Sequence, residues 1–324
     1  MPYPGTSTAV ARQDLGGLLE SFDLEMDRRG FIGNRVLPIF NVPLNGGRFP
    51  KIKAEELLRT NMELERNPYS GYARDTTKFE DDSYTTKERG AEHLVDDKLR
   101  HVYASYFDME AIALKKTVDM VLRDQESRAA SMIFNTTTWT GATLYLDTSI
   151  AWTSASAVPV TDVNTAKRNI RANFGRWPDT MIFNYNNLLY LREVEQIQDR
   201  IASSGAGQSI KPSEITAAQL GSVFDIDNVL IPGSAYNSAA EGLAAAFGEL
   251  WSNDYCWIGC VAKTNDITEP CVGRTMHWGG DGSNPLGTVE TYREESNRGD
   301  VVRVRHEVEE KLLFAAAGFL LKIS

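Results

Sequence analysis

The chain has 324 residues, 42% of them hydrophobic and 24% charged, with a formal net charge of −10. That length and balance exclude a disordered chain and admit one large core or two joined domains. The acid excess argues against tight nucleic-acid binding, which needs clustered Lys and Arg to neutralise phosphates, and no apolar run reaches the roughly 20 residues that span a bilayer.

In chain order, the opening "MPYPGTSTAVARQDL" lacks the basic-then-apolar layout of a signal peptide, so a cytoplasmic setting is expected. Charge is dense from Asn45 to Arg100 and sparse from Thr136 to Pro285. Within the dense stretch, "GRFPKIK" and "DSYTTKERGAEHLV" read as strands around a turn-rich middle containing "NPYSG". This is either a solvated surface hairpin or an arm that finds its partner on another subunit. Asp108 then suits an N-cap and Glu110 the first turn. Met109, Ile112, Ala113, Val118, Val121, Leu122, Ala129, Met132 and Ile133 recur at helical spacing, predicting a helix from about Met109 to Phe134, roughly 40 Å long.

The middle mixes helices and strands, as an α/β or α+β domain does. "VTDVNTAKRNIRANFGRWPD" predicts a capped helix ending at Gly175 and Pro178, "TMIFN" a short strand, and "NNLLYLREVEQIQDRIA" one amphipathic helix. "SSGAGQSIKPS" reads as a flexible loop and "ITAAQLGSVFDIDNVLIPG" as helix then strand. "HWGGDGSNPLG" breaks the pattern and marks a boundary near Pro285. Beyond it, Val302, Val304, His306 and Val308 share one face of a strand. Arg303, Arg305, Glu307 and Glu309 share the other, expected to face solvent or a neighbouring subunit. "KLLFAAAGFLLKIS" is apolar on both faces and predicts a strand buried on both sides, so that the chain ends inside a sheet.

Sites of chemistry are sparse. Cys256, Cys260 and Cys271 are odd in number and read as reduced core thiols. In an extended run, Cys256 and Cys260 stand about 13 Å apart, too far to share a metal ion. Gly205 and Gly207 are followed by no Gly-Lys-Ser/Thr, "WGGDGSNPLG" lacks the strand and helix of a dinucleotide site, and His93, His101, His277 and His306 show no zinc-helix spacing. The acidic pairs Asp81-Asp82 and Asp96-Asp97 read as solvated or ion-paired faces, and "RGD" at Arg298 to Asp300 as a turn. No catalysis, cofactor or metal is expected.

The order of parts, "RGFIGNRVLPIFNVPLNGGRFPKIK", a charged two-stranded excursion, "EHLVDDKLRHVYASYFDMEAIALKKTVDMVLRDQESRAASMIFN", a mixed middle and a closing "YREESNRGDVVRVRHEVEEKLLFAAAGFLLKIS", resembles the tailed-phage major capsid proteins of the Hong Kong 97 fold. The resemblance covers nearly the whole chain. It implies an α+β fold with an N-terminal arm at 1–44, an extended β-hairpin loop at 45–92, and a peripheral domain with a long spine helix at 93–160. A mixed α/β axial domain would occupy 161–284, and return strands ending in a buried strand 285–324. It also implies hexamers and pentamers of an icosahedral head enclosing double-stranded DNA, a virion location after assembly in the host cytoplasm, and no membrane partner. Because Phe31 stands too early to follow a hundred-residue scaffolding segment, the resemblance points to a separate scaffolding protein, with a portal and a decoration protein as further partners. Loop residues Arg48, Lys51, Lys53, Lys78, Glu80, Asp81, Asp82, Lys87, Glu88 and Arg89 become candidates for ion pairs across a subunit boundary, each weak alone but repeated by symmetry. The alternatives are an encapsulin-type compartment shell, which shares the fold, and a soluble α/β enzyme or binding protein.

Overall fold

A computed structural model describes residues 10–11, 30–60, 64–203 and 215–324. In chain order the strands are β1 (Val10–Ala11), β2 (Ile39–Val42), β3 (Gly46–Lys51), β4 (Glu80–Thr85), β5 (Lys87–Asp96), β6 (Tyr145–Asp147), β7 (Thr180–Phe183), β8 (Asn228–Leu230), β9 (Ala235–Asn237), β10 (Phe247–Glu249), β11 (Tyr255–Gly259), β12 (Gly273–Trp278), β13 (Thr288–Glu294), β14 (Gly299–Leu312) and β15 (Gly318–Lys322). The helices are α1 (Gly33–Val36), α2 (Ala54–Leu57), α3 (Asp97–Tyr103), α4 (Met109–Ile133), α5 (Pro159–Phe174), α6 (Tyr185–Glu193), α7 (Glu195–Ser203) and α8 (Ala217–Phe224).

Two sheets organise them. In the first, β14 is the spine: its N-terminal part lies between β13 and β5, and its C-terminal part pairs with β12, which runs parallel to β2. Helix α4 lies on this sheet. Its Ala113, Leu114, Val118, Val121 and Leu122 meet Val95, Val289, Val302 and Val304 in one apolar cluster. Asp108 caps α4 by accepting from the Glu110 and Ala111 amides, as its residue type and position foretold. The second sheet has the order β6-β15-β11-β7-β8. Its central strands carry Met181, Ile182, Phe183, Cys256, Trp257, Ile258, Phe319, Leu320 and Leu321, buried on both faces beneath α5, α7 and α8.

The last strand sits inside a sheet, between β6 and β11, as two-sided apolar burial requires, but it is shorter than expected: Lys311 and Leu312 still belong to β14 and a 3-10 turn at Ala315–Ala317 separates them from β15. All three cysteines are free and buried. Sheet membership does not follow the expected segment limits: Tyr145–Asp147 belongs to the second sheet and Gly273–Trp278 to the first.

Three local expectations are corrected. The single helix expected over "NNLLYLREVEQIQDRIA" is two, because Val194 turns to extended backbone with φ −72° and ψ 123° and buries its side chain at the break. Helix α5 opens without a side-chain cap; Pro159 at its first turn sets the start, and Gly175 in the left-handed region (φ 78°) ends it. The charged face of β14 is only partly open to solvent: Arg303, Arg305 and Glu309 are half-buried and Glu307 is buried. Arg303 bonds Glu92 at 2.6 Å, Arg305 bonds Glu290 at 2.9 Å, and Glu307 is buried against the Thr86 hydroxyl at 2.7 Å. Strands β5 and β13 supply the two carboxylates and the β4–β5 junction the Thr86 hydroxyl, so pleat alternation set the face correctly while the chain itself covers part of it. The expected loop at 203–213 lies, from 204 onward, outside the described residues, as does most of the arm before residue 30.

Candidate inter-subunit surface

The candidate charges lie on or beside the β3/β4 ribbon, whose antiparallel register sets Phe49 opposite Asp82 and Lys51 opposite Glu80. With a side-chain period of two, 49, 51, 80, 82 and 84 share one side and 48, 81 and 83 the other. Phe49 and Tyr84 are buried, with ring centroids 6.0 Å apart, and they seat the ribbon on Val42, Cys271, Met276 and Leu313.

That seating draws two candidates inward. Lys51 lies 3.0 Å from Asp82, donates to the Leu313 carbonyl at 3.1 Å and stands 5.0 Å from the Phe314 ring centre. Lys311 reaches the other Asp82 oxygen at 2.9 Å. Burial opposes ionisation of Asp82, yet hydrogen bonds from Lys311 and Lys51 outweigh it and hold the carboxyl below the usual range. Arg89 donates to the Val308 carbonyl at 3.0 Å, Glu88 stands 3.8 Å from Arg305, and Lys53 pairs with Glu80 at 2.6 Å near the surface.

The structure therefore divides the ten. Lys51, Asp82 and Arg89 fasten the ribbon to its own chain, with Lys53, Glu80 and Glu88 in weaker intrachain pairs. Arg48, Lys78, Asp81 and Lys87 are exposed. Between the strands, residues 64–79 have no regular strand or helix and are exposed throughout, carrying Leu64, Tyr69 and Tyr72 outward; Arg66 lies 4.9 Å from the Tyr72 ring centre.

Two residues of α4 outside the candidate set fasten that helix to the rest of the fold. Glu126 of α4 is 3% exposed. It accepts from the Ile32 amide at 2.8 Å, the Gly33 amide at 2.7 Å and the Trp251 indole at 2.7 Å. Burial pushes its carboxyl up, against those three donors. One side chain thus ties α4 to the start of α1 and to the second sheet's core. A signal existed: Glu126 falls four residues after Leu122 and three before Ala129, on the apolar stripe, where an unpartnered acid is not tolerated. Arg128, one turn of helix away from Asp124, holds Glu310 of β14 through two bonds of 2.8 and 2.9 Å.

As for small-molecule chemistry, a cleft of about 490 Å³ beside α8 is lined by Arg35, Ser222, Asp225, Asp227 and Asn228. Its acids are engaged, Asp225 by Lys167 at 2.8 Å and Asp227 by Lys263 at 3.4 Å. Among the described residues no group of three or more His, Cys, Asp or Glu is placed to hold a metal ion, and no helix is long and apolar enough to cross a membrane.

No protein-family model matches the chain. Over 294 residues it is 24% identical to the major capsid protein of Burkholderia phage BcepMu, covering 90% of each sequence. Among solved structures, a phage-related protein of Bordetella bronchiseptica superposes with a TM-score of 0.71 at 19% identity, covering 98% of both chains. The chain has the Hong Kong 97 fold. The same architecture is seen in an encapsulin of Synechococcus elongatus, with a TM-score of 0.51 at 11% identity over 99% of this chain and 92% of that one.

Proposed function

We propose that this chain is the major capsid protein of a tailed phage or prophage, assembling as hexamers and pentamers into an icosahedral head around double-stranded DNA. The observation that carries the reading is the end-to-end likeness to a phage capsid protein, 90% of each sequence, joined to a Hong Kong 97 fold. The role is structural, without catalysis. The arm would occupy 1–44, the extended loop 45–92, the peripheral domain 93–160, the axial domain 161–284 and the return strands 285–324.

The exposed loop residues 64–79, with Arg48, Lys78, Asp81 and Lys87 at its base, support a loop that lies across the next subunit. A net charge of −10 suits an inner wall along which phosphate slides without adhering. A separate scaffolding protein, a portal and a decoration protein are the partners this reading names, with assembly in the host cytoplasm. The encapsulin likeness favours one second reading, a compartment shell loaded with a cargo enzyme. Particles purified from the native host and treated with nuclease separate the two. Protected genome-length DNA with a portal supports the head, whereas DNA-free shells carrying a stoichiometric enzyme support the compartment.

A further inference from the structure

Helix α3 and the turn after it form an apolar surface that the described residues of the chain do not cover. Leu99, Val102, Tyr103 and Tyr106 fall at i, i+3, i+4 and i+7, the spacing of helical anchors that enter a groove. All are exposed, Tyr106 at 81%, and α3 buries none of its residues. A seven-residue helix is unstable in water on its own account and is held by tertiary packing of an apolar face. Here that face points outward, and no described residue of the chain packs over it. The exposed charges beside it are the cations Lys98, Lys115 and Lys116, while Asp96 caps α3, Asp97 is bound by Arg293 at 2.6 Å and Asp108 caps α4.

The β9/β10 hairpin is its complement. Residues 235–249 contain Glu241 and Glu249 and no Lys, Arg or His. Leu243 and Phe247 are 72% and 79% exposed. In its own chain the hairpin is anchored where Arg123 donates to the Ala235 carbonyl, and its apolar tip is left in solvent.

Building on the shell reading, we propose that the α3 surface is a subunit contact that receives the β9/β10 hairpin of a second copy. The apolar tip packs between the α3 anchors, and Glu241 meets the Lys115 and Lys116 rim. Because one patch meets a different patch, the contact is head-to-tail and propagates from copy to copy, as a closed ring or shell requires. Opposite charge on the two patches selects the pairing and disfavours helix against helix.

Particles co-assembled from Val102→Cys and Leu243→Cys chains, treated with a short bismaleimide, test it. Both positions are exposed, and the native Cys256, Cys260 and Cys271 are buried, so only the new thiols react. The expected result is a crosslinked dimer joining one variant to the other. Leu99→Cys with Phe247→Cys provides a second pair, and Lys115→Glu with Lys116→Glu should lower particle yield by about tenfold or more through like-charge contact with Glu241. Particles in which neither pair crosslinks, or in which the Val102→Cys chain is captured only by its own kind or by another protein, overturn the proposal and leave the shell reading standing. A wild-type chain that forms no particles overturns the shell reading itself.

Discussion

At the scale of single residues, Glu126 has the most consequence per atom. Replacing it with Gln keeps the shape but sets an amide N–H against donors that need an acceptor, so E126Q should cost roughly 3 kcal/mol in urea unfolding, the penalty of an unsatisfied buried group. Gly33→Ala should act on the same contact, because a Cβ there would stand 2.7 Å from the Glu126 carboxylate. The double variant should then fall short of the sum of the two. His306 carries a pH dependence. It is fully buried, its Nδ1–H donates to the Pro285 carbonyl, and its Nε2 has no partner among the described residues. Burial, with Arg128 and Arg89 adding repulsion against the Pro285 bond, lowers it from 6.5 to about 4. A depressed histidine contributes stability that is fully present above the unfolded value and is lost as pH falls through the folded one, here between 6.5 and 4. The contribution is about 3 kcal/mol, and burial of His277 acts in the same direction. His306→Leu should flatten that limb of a plot of unfolding free energy against pH; an unchanged slope would contradict the assignment.

At the scale of elements, legibility followed periodicity. Helix α4 was readable to within a residue because its cap and apolar stripe agree, and β15 was readable because only a two-sided burial explains so apolar an ending. The break at Val194 was not, since Leu, Val and Ile keep helical spacing across it and tertiary burial of Val194 decides the backbone. The loop charges were half legible. Alternation marks two faces of β3 and β4, but only the seating of Phe49 and Tyr84 shows which face turns inward. Two outcomes follow. Removing 318–324 strips the strand between β6 and β11 and should abolish folding, read as loss of the cooperative transition in circular dichroism; a truncated chain that still unfolds cooperatively would contradict the strand's place. Asp82→Lys should destabilise the monomer by placing three cations together with Lys51 and Lys311, whereas Asp81→Lys should leave the monomer's unfolding midpoint unchanged and reduce assembly.

At the scale of the whole molecule, the chain invests its apolar residues in two sheets, and three features stand exposed among the described residues: 64–79, the α3 face and the tip of the β9/β10 hairpin. Composition could not show this, because it records how many apolar residues there are and not which of them the fold fails to bury. Surfaces of this kind are expected where the folded chain is a component and the assembly is the finished object. The most direct measurement is analytical ultracentrifugation of the wild-type protein with its scaffolding protein, paired with negative-stain electron microscopy of the fast-sedimenting fraction. The expected result is a discrete fast species seen as hollow isometric particles, or as six- and five-membered rings. A persistent monomer or dimer under the same conditions would contradict a shell-forming subunit.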